Sequence, residues 1–150
     1  MMISEDLVMS PMTEEDIDMI LLMERECFSS PWSRESFEDV LKYPFLGGFC
    51  VRIEGELAGF GIYHCLFEDS EVLDIAVGAK FRRMGIGKII LQMLEDTVRF
   101  RGAERLMLEV RKSNIAAQAL YLGAGFSVTG TRRNYYKKPI EDAILMEKKL

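Results

Sequence analysis

The chain has 150 residues, of which 49% are hydrophobic and 29% charged, and its formal net charge is −5. This length and balance indicate one globular domain over residues 1–150 and exclude an intrinsically disordered chain. The acidic balance argues against general nucleic-acid binding, which depends on a basic surface.

The cysteines Cys27, Cys50 and Cys65 are odd in number and widely spaced, with no Cys-x-x-Cys pair. This pattern argues against a disulfide framework and against a zinc site, so no metal is expected. Residues 1–10 lack the basic start and apolar stretch of an export signal, and no apolar run approaches the roughly 18–20 residues of a membrane span. We therefore expect a cytoplasmic protein without membrane contact; nothing in the sequence indicates an oligomeric state.

The first elements in chain order are a short strand and two helices. Residues 7–9 read as a strand, and Thr13 can cap a helix whose apolar positions run from Ile17 to Phe28. The segment 29–33 breaks that helix. Ser33 can then cap a second helix that reaches about Tyr43.

The middle of the chain changes to the alternation of strands. Residues 49–53 and 57–66 are predicted to form a hairpin around residues 54–56. Residues 71–77 form the next predicted strand, with Leu73, Ile75 and Val77 expected on one face.

The second half alternates helices with strands. A helix is predicted from Gly85 to Gly102, a strand over 105–110, a helix from 115 to about 122, and strands over 126–131 and 143–147. The order predicts an α/β fold with a mixed sheet and helices on both faces.

A glycine-rich loop follows the strand that ends at Val77. Backbone N–H groups at a helix start are free and carry positive partial charge, so they can bind an anion. A P-loop would need Gly at 82 and Ser or Thr at 89, and a dinucleotide fingerprint would need Gly at 90. The chain has Arg82, Ile89 and Ile90 instead. The bland alternative is that Gly85 and Gly87 only make a tight strand-to-helix turn.

A second group of candidate residues lies downstream. Glu109 interrupts an apolar strand, where a carboxylate is costly unless it is paired or has a task. Asn114 can cap the last helix, and Tyr121, about two turns later, can share its face. The alternatives are that Glu109 pairs with Arg105 or Arg111, that Asn114 is only a cap, and that Tyr121 is ordinary core.

These segments resemble a known family. The loop Arg-x-x-Gly-x-Gly is similar to the acetyl-CoA pyrophosphate loop of the GNAT (Gcn5-related N-acetyltransferase) superfamily. Leu-Glu-Val-Arg-x-Ser-Asn at 108–114, Ala-Leu-Tyr, Gly-Phe, Arg-Arg-Asn-Tyr-Tyr at 132–136 and Glu-Asp-Ala-Ile-Leu-Met at 141–146 resemble the RimI family, the bacterial ribosomal-protein-alanine N-acetyltransferases. Phe28 and Pro-Trp-Ser at 31–33 resemble its N-terminal region, so the match spans nearly the whole chain.

The resemblance implies the GNAT fold, a central mixed and mostly antiparallel sheet flanked by about four helices. It further implies acetyl-CoA as the donor and the N-terminal amine of a protein, such as the alanine of a small-subunit ribosomal protein, as the acceptor. By position, Glu109 corresponds to the general base, Tyr121 to the general acid and Asn114 to a cofactor-binding asparagine. The remaining implied cofactor residues are Ile75, Ala76, Val77, Arg82, Arg83, Met84, Gly85, Ile86, Gly87 and Lys88.

Acceptor recognition is the least specific part of the match. The resemblance implies that Trp32, Tyr135 and Tyr136 line the peptide groove, although Trp32 could equally pack beneath the first two helices. Residues 78–81 replace a proline-containing link of the family, and residues 122–124 replace a more polar stretch. Two other functions stay open: acetylation of a small-molecule amine, and a non-catalytic module that binds acetyl-CoA.

Overall fold

The computed structural model describes residues 6–150; residues 1–5, which begin the segment considered for an export signal, lie outside the described residues. The elements in chain order are β1 (Leu7–Pro11), α1 (Ile17–Cys27), α2 (Arg34–Lys42), β2 (Leu46–Ile53), β3 (Glu56–Leu66), β4 (Asp69–Val77), α3 (Ile86–Phe100), β5 (Arg105–Arg111), α4 (Ile115–Gly123), β6 (Ser127–Lys137) and β7 (Ile140–Lys149).

The strands form one sheet in the order β1-β2-β3-β4-β5-β7-β6. The pair β4–β5 is parallel, and every other neighbouring pair is antiparallel. The predicted α/β fold, with a mixed and mostly antiparallel sheet and four helices, is therefore confirmed.

Each face of the sheet has its own core. On one face, α1 and α2 pack on the strands through Ile17, Ile20, Leu21, Phe37, Val40, Phe60 and Ile62. On the other face, α3 and α4 pack through Ile86, Ile90, Leu94, Val98, Tyr121, Val51, Leu106 and Leu108. The expectation of helices on both faces is thus also confirmed.

A β-bulge in β4 corrects the prediction that Leu73 shares a face with Ile75 and Val77. Ile62 pairs with Asp74 but Tyr63 pairs with Val72, so Leu73 is an extra residue on β4. The extra residue reverses the alternation of side chains. Leu73 consequently packs on the α1 side, whereas Ile75 and Val77 pack on the α3 side.

The parallel strands β4 and β5 separate along part of their length and leave a gap in the sheet. The two strands pair only from Asp69 and Arg105 to Val72 and Leu108. Beyond this point β4 continues to Val77 and β5 to Arg111, and neither strand pairs with the other. Two strand edges therefore face each other across a gap, at the end of the sheet where α3 and α4 begin.

The last hairpin and the end of α1 differ from the sequence-based expectation. β6 and β7 extend over 127–137 and 140–149, beyond the predicted 126–131 and 143–147. Most residues of β6 are exposed, so its sequence carries little of the alternation that marks a half-buried strand. Phe28, expected in the first helix, has extended backbone and caps α1 at its C-terminus.

Candidate active site

The glycine loop between β4 and α3 presents a run of free backbone donors. Arg83 has φ 63° and Gly85 has φ 76°, and α3 begins at Ile86. Within residues 6–150, no acceptor is found for the backbone N–H groups from Arg83 to Lys88. Such a row of free donors at the start of a fifteen-residue helix fits the oxygens of a pyrophosphate.

The side chains around this loop add positive charge. Arg82, Arg83 and Lys88 are exposed, and none of them forms an ion pair with a carboxylate in the described part of the chain. Arg82 points instead to the thiol of Cys27, with Nη2 3.7 Å from Sγ. These cations are available to a phosphate-bearing ligand.

Gly87 indicates the direction from which a ligand would approach. A Cβ atom at this position would lie 3.5 Å from Leu120 Cδ2 and 3.8 Å from Val77 Cγ2, which are ordinary contacts. Its φ is not positive, so neither crowding by the protein nor backbone conformation requires glycine here. A ligand that lies close to the backbone would supply that requirement.

The predicted acetyl-binding segment lies on the free edge of β4. Ile75, Ala76 and Val77 all follow Val72, the last residue of β4 that pairs with β5. Ala76 is buried toward α1, while Ile75 and Val77 pack toward α3. An extended chain of amides, such as the pantetheine arm of acetyl-CoA, could form strand-like hydrogen bonds with this edge.

Glu109 lies where the two strands separate. Its neighbour Leu108 is the last residue of β5 that pairs with β4, so Glu109 is the first residue beyond the fork. Its side chain is 19% exposed, and its Oε1 lies 3.6 Å from Nε of Arg132. The alternative partners considered from the sequence, Arg105 and Arg111, pair with other carboxylates instead.

Glu71 is a further candidate residue near Glu109, and the sequence did not indicate it. It lies on β4 next to the fork, and its pKa is raised by burial and then by the negative charge of Glu109. A glutamate in an alternating strand looks like an ordinary surface residue. The signal that could have found it is the parallel register, which brings Glu71 opposite Met107 and therefore near Glu109.

Tyr121 lies on α4 at the edge of the gap and is 9% exposed. Its ring packs edge-on against Phe126, and its hydroxyl has no hydrogen-bond partner among residues 6–150. Burial, followed by the nearby Asp74 and Tyr136, raises the pKa of Tyr121 to about 12. The hydroxyl therefore stays protonated at neutral pH and is free to donate a hydrogen bond to a ligand.

Asn114 is the N-cap of α4, as the sequence predicts. Its Oδ1 accepts a hydrogen bond from the Ala117 N–H at 3.1 Å. Its side-chain amide donates to no group in the described residues. Asn114 can thus cap the helix with its oxygen and still bind a ligand with its nitrogen.

A bulge in β6 places the two predicted peptide-binding tyrosines beside Glu109. Arg132 pairs with Ala143 and Tyr136 with Glu141, so residues 133–135 include extra residues on β6. Asn134 has φ 51°, and its N–H donates to Asp142 Oδ1 at 2.9 Å. The Glu109 carboxylate, more than burial, raises the pKa of Tyr135. Burial, and then Glu109, raises the pKa of Tyr136 to about 12.

The segment between α1 and α2, residues 28–33, forms the rim of the site. The Ser29 hydroxyl donates to the carbonyl oxygen of Lys138 at 2.7 Å, which joins this segment to the turn between β6 and β7. Arg111 stacks on Tyr136, with its guanidinium 4.3 Å from the ring centroid, and forms an ion pair with Glu141. This role of Arg111 in holding the rim together was not predicted from the sequence.

Trp32 lies in the same rim but is packed against the core. Its ring centroid is 5.1 Å from that of Phe37, and it is only partly exposed. The packing considered from the sequence is therefore present.

Neither a metal site nor a membrane-spanning helix is found in the described residues. Across residues 6–150, no cluster of three or more His, Cys, Asp or Glu side chains could hold a metal ion. In the same range no helix has the length and apolar character needed to span a membrane.

The fold, with its split parallel pair, is that of the acetyl-CoA-dependent N-acetyltransferases, the class that the sequence resemblance implies. The chain belongs to the acetyltransferase (GNAT) family, whose model matches residues 17–126. By class, the protein is an N-acetyltransferase.

Individual relatives agree with this assignment. The chain is 34% identical to the ribosomal protein bS18-alanine N-acetyltransferase of Escherichia coli (strain K12) over 139 residues, which cover 91% of this chain and 93% of the relative. The crystal structure of the E. coli ribosomal-protein-S18-alanine N-acetyltransferase superposes with a TM-score of 0.88 at 32% identity, covering 95% of this chain and 93% of that one. The resemblance to the ribosomal-protein-alanine enzymes is thereby confirmed.

A more distant structure shares the fold and was solved with a ligand. It is a GNAT family acetyltransferase from Elizabethkingia anophelis with acetyl-CoA bound, with a TM-score of 0.78 at 23% identity, covering 98% of this chain and all (100%) of that one.

Proposed function

We propose that the protein transfers the acetyl group of acetyl-CoA to the N-terminal α-amine of a protein, and that its acceptor is the N-terminal alanine of ribosomal protein bS18. The names of the relatives support the acceptor. The observation that supports the site is the position of Glu109, the first residue of β5 beyond its pairing with β4 and a neighbour of Tyr135 and Tyr136 on β6. A ribosomal acceptor also implies that the enzyme works in the cytoplasm.

The loop residues Arg82 to Lys88 would hold the pyrophosphate, and the edge from Ile75 to Val77 would hold the pantetheine arm. The amide of Asn114 would add one hydrogen bond. When bound, acetyl-CoA supplies an activated acetyl thioester. The protein must then provide a neutral amine, a donor for the carbonyl oxygen and a proton for the departing sulfur.

Glu109 is the group placed to take a proton from the acceptor amine, directly or through a water molecule. A free α-amine has a pKa of about 7.7–8.0, so it is already partly neutral near pH 7 and a carboxylate is an adequate base. A lysine side chain, with a pKa near 10.4, would ask considerably more of the same group. The site therefore favours N-termini over lysines.

Tyr121 would donate a hydrogen bond to the sulfur of the acetyl thioester. A free backbone N–H on β4 would bind its carbonyl oxygen. Because the hydroxyl of Tyr121 has no hydrogen-bond partner among the described residues 6–150, no hydrogen bond within them must break before it acts. Tyr135, Tyr136 and the exposed part of Trp32 would contact the first residues of the peptide.

The test measures release of CoA from acetyl-CoA with a synthetic peptide that carries the N-terminal sequence of bS18. Two control peptides have a blocked N-terminus, one of them with an added lysine. We expect release with the free N-terminus only, and its loss in Glu109→Gln. Absence of release with every peptide, despite measurable acetyl-CoA binding, would overturn the ribosomal acceptor and favour a small-molecule amine.

A further inference from the structure

The carboxyl group of Glu24, buried on α1, lies beside the carboxyl group of the partly exposed Asp74 on β4. Glu24 is 1% exposed, and its Oε2 accepts a hydrogen bond from the backbone N–H of Trp32 at 2.9 Å. Its Oε1 is buried and has no hydrogen-bond partner within residues 6–150, and the same holds for Oδ2 of Asp74. Two ionised carboxylates cannot form a hydrogen bond with each other, because both are only acceptors. If one of them carries a proton, it becomes the donor and the other remains the acceptor.

Besides the N–H of Trp32 at Glu24, the backbone of Ile75 hydrogen-bonds to Asp74, and the rest of the surroundings is largely apolar. α1 packs against α2, β3 and β4, which present Phe37, Phe60 and Ala76 to this region. Among the described residues, no cation forms an ion pair or hydrogen bond with either carboxyl group. Uncompensated buried charges are strongly unfavourable, and a shared proton removes one of them.

Among the described residues, the nearby titratable groups do not neutralise the negative charge of Glu24 and Asp74. Arg82 is directed to the thiol of Cys27, and that thiol points to the carbonyl oxygen of Val77 at 3.5 Å. Tyr121, across the gap, is neutral. Burial and the adjacent Glu24 raise the pKa of Asp74 to about 10, which agrees with one proton being retained at neutral pH.

We propose that Glu24 and Asp74 share one proton and act as a positioning pair for the acceptor peptide. The Asp74 O–H donates to Glu24 Oε1, and Glu24 Oε2 holds the N–H of Trp32. The pair thereby fixes the rim segment that contains Trp32 against the strand that lines the acetyl-CoA site. Neither carboxyl touches substrate. This inference rests on the proposed role of the rim in peptide binding.

The shared proton can be detected without any substrate. The infrared spectrum of the wild-type protein at neutral pH should show the carbonyl band of a protonated carboxylic acid that is missing in Asp74→Asn. Glu24→Gln should remove the same band, because either amide supplies the hydrogen that the pair otherwise holds. Asp96→Asn, at an exposed aspartate on α3, is the matched control and should leave the band unchanged. A wild-type spectrum without this band overturns the proposal.

Trp32 is the only tryptophan in the chain, so its fluorescence reports on the rim directly. We expect the wild-type emission to change as the pH is raised toward the alkaline range, when the pair loses its last proton. Asp74→Asn should abolish that change, since an amide does not titrate there. An identical pH response in the two proteins contradicts the proposal.

The positioning effect appears in the kinetics of peptide acetylation. Asp74→Leu removes the donor and should raise the KM for the peptide by about 10-fold, the effect of losing a hydrogen bond to a charged group, with kcat nearly unchanged. Asp74→Asn restores the donor and should keep the wild-type KM. Equal KM values for the two variants would refute the positioning role. If no peptide is acetylated, the proposed acceptor fails, while the infrared and fluorescence results still decide whether the proton is shared.

Discussion

The guanidinium of Arg132 faces the carboxylate of Glu109, with 3.6 Å between Nε and Oε1, at the point where β4 and β5 separate. Arg132 is 58% exposed, so this ion pair adds little to the stability of the fold. The effect of this ion pair is local: it holds the carboxylate of Glu109 toward β6, which carries the proposed peptide-binding residues Tyr135 and Tyr136.

Replacing Glu109 by Gln should lower kcat by about 10²–10⁴-fold, the usual contribution of a general base. The Kd for acetyl-CoA should stay the same, since Glu109 is not among the residues proposed to hold the cofactor. Steady-state kinetics and calorimetric titration measure the two quantities. Glu104→Gln, at an exposed glutamate before the same strand, should change neither. A large loss of acetyl-CoA affinity in Glu109→Gln would contradict its assignment as the base.

Tyr121→Phe should separate activity from stability. The hydroxyl of Tyr121 has no partner among residues 6–150, so its removal should leave Tm unchanged or slightly higher while kcat falls by about 10²-fold or more. Tyr63→Phe gives the reverse contrast. The hydroxyl of Tyr63 accepts a hydrogen bond from Arg101 at 3.2 Å, so its loss should lower Tm and leave kcat unchanged. Thermal melts and initial rates check both, and a Tyr121→Phe enzyme with full activity would exclude Tyr121 as the proton donor.

Gly87→Ala should weaken acetyl-CoA without harming the fold. The protein has room for the extra methyl group, and alanine is favoured over glycine in a helix by about 0.5–1 kcal/mol. A ligand close to the backbone would collide with it, so we expect at least about a 10-fold rise in Kd, equivalent to about 1.4 kcal/mol.

Gly102→Ala is a control variant in which stability should change and the affinity for acetyl-CoA should not. Gly102 has φ 98°, so alanine there should cost about 1–2 kcal/mol of stability through backbone strain alone. Its affinity for acetyl-CoA should be unchanged, because Gly102 ends α3 far from the loop. Unchanged binding in Gly87→Ala would mean that no ligand approaches the backbone there.

The stability of Asp74→Asn relative to the wild type should depend on pH. A carboxyl whose pKa is raised on folding contributes stability that is present below its unfolded pKa, near 3.8, and is lost as the pH rises toward the folded value of about 10. The wild-type protein should therefore lose free energy of unfolding through this window, and the amide variant should lose less. Urea unfolding at several pH values between about 5 and 9 measures the gap, which should widen in favour of Asp74→Asn. A gap that does not change with pH would mean that Asp74 is ionised in the folded protein.

The sequence predicted the order and class of the elements because the periodicity of apolar residues is set by local geometry. The helical spacing of Ile86, Ile90 and Leu94 and the caps at Ser33 and Asn114 all have their expected roles. The face of Leu73 could not be predicted, because it depends on one extra residue in the pairing of β4 with β3. Strand register is a property of two segments, and alternation within either segment does not contain it.

The same limit applies to the site. The glycine loop and the motif around Glu109 could be found in the sequence, since each is continuous along the chain. The proximity of Glu71 to Glu109 and of Asp74 to Glu24 could not, because each pair joins distant segments through the sheet. The two extra residues of β6 that place Tyr135 beside Glu109 likewise cannot be predicted from the sequence of a strand that is mostly exposed.

The fork between β4 and β5 has a consequence for how long the protein lasts in the cell. An ordinary open sheet has two unpaired edges, at its outer strands, whereas this sheet has two more in its middle. Unpaired strand edges are templates for aggregation, and a bound strand-like ligand would cover the edge of β4. The supply of acetyl-CoA would then govern the survival of the enzyme as well as its rate, and starved cells should contain the more aggregation-prone form.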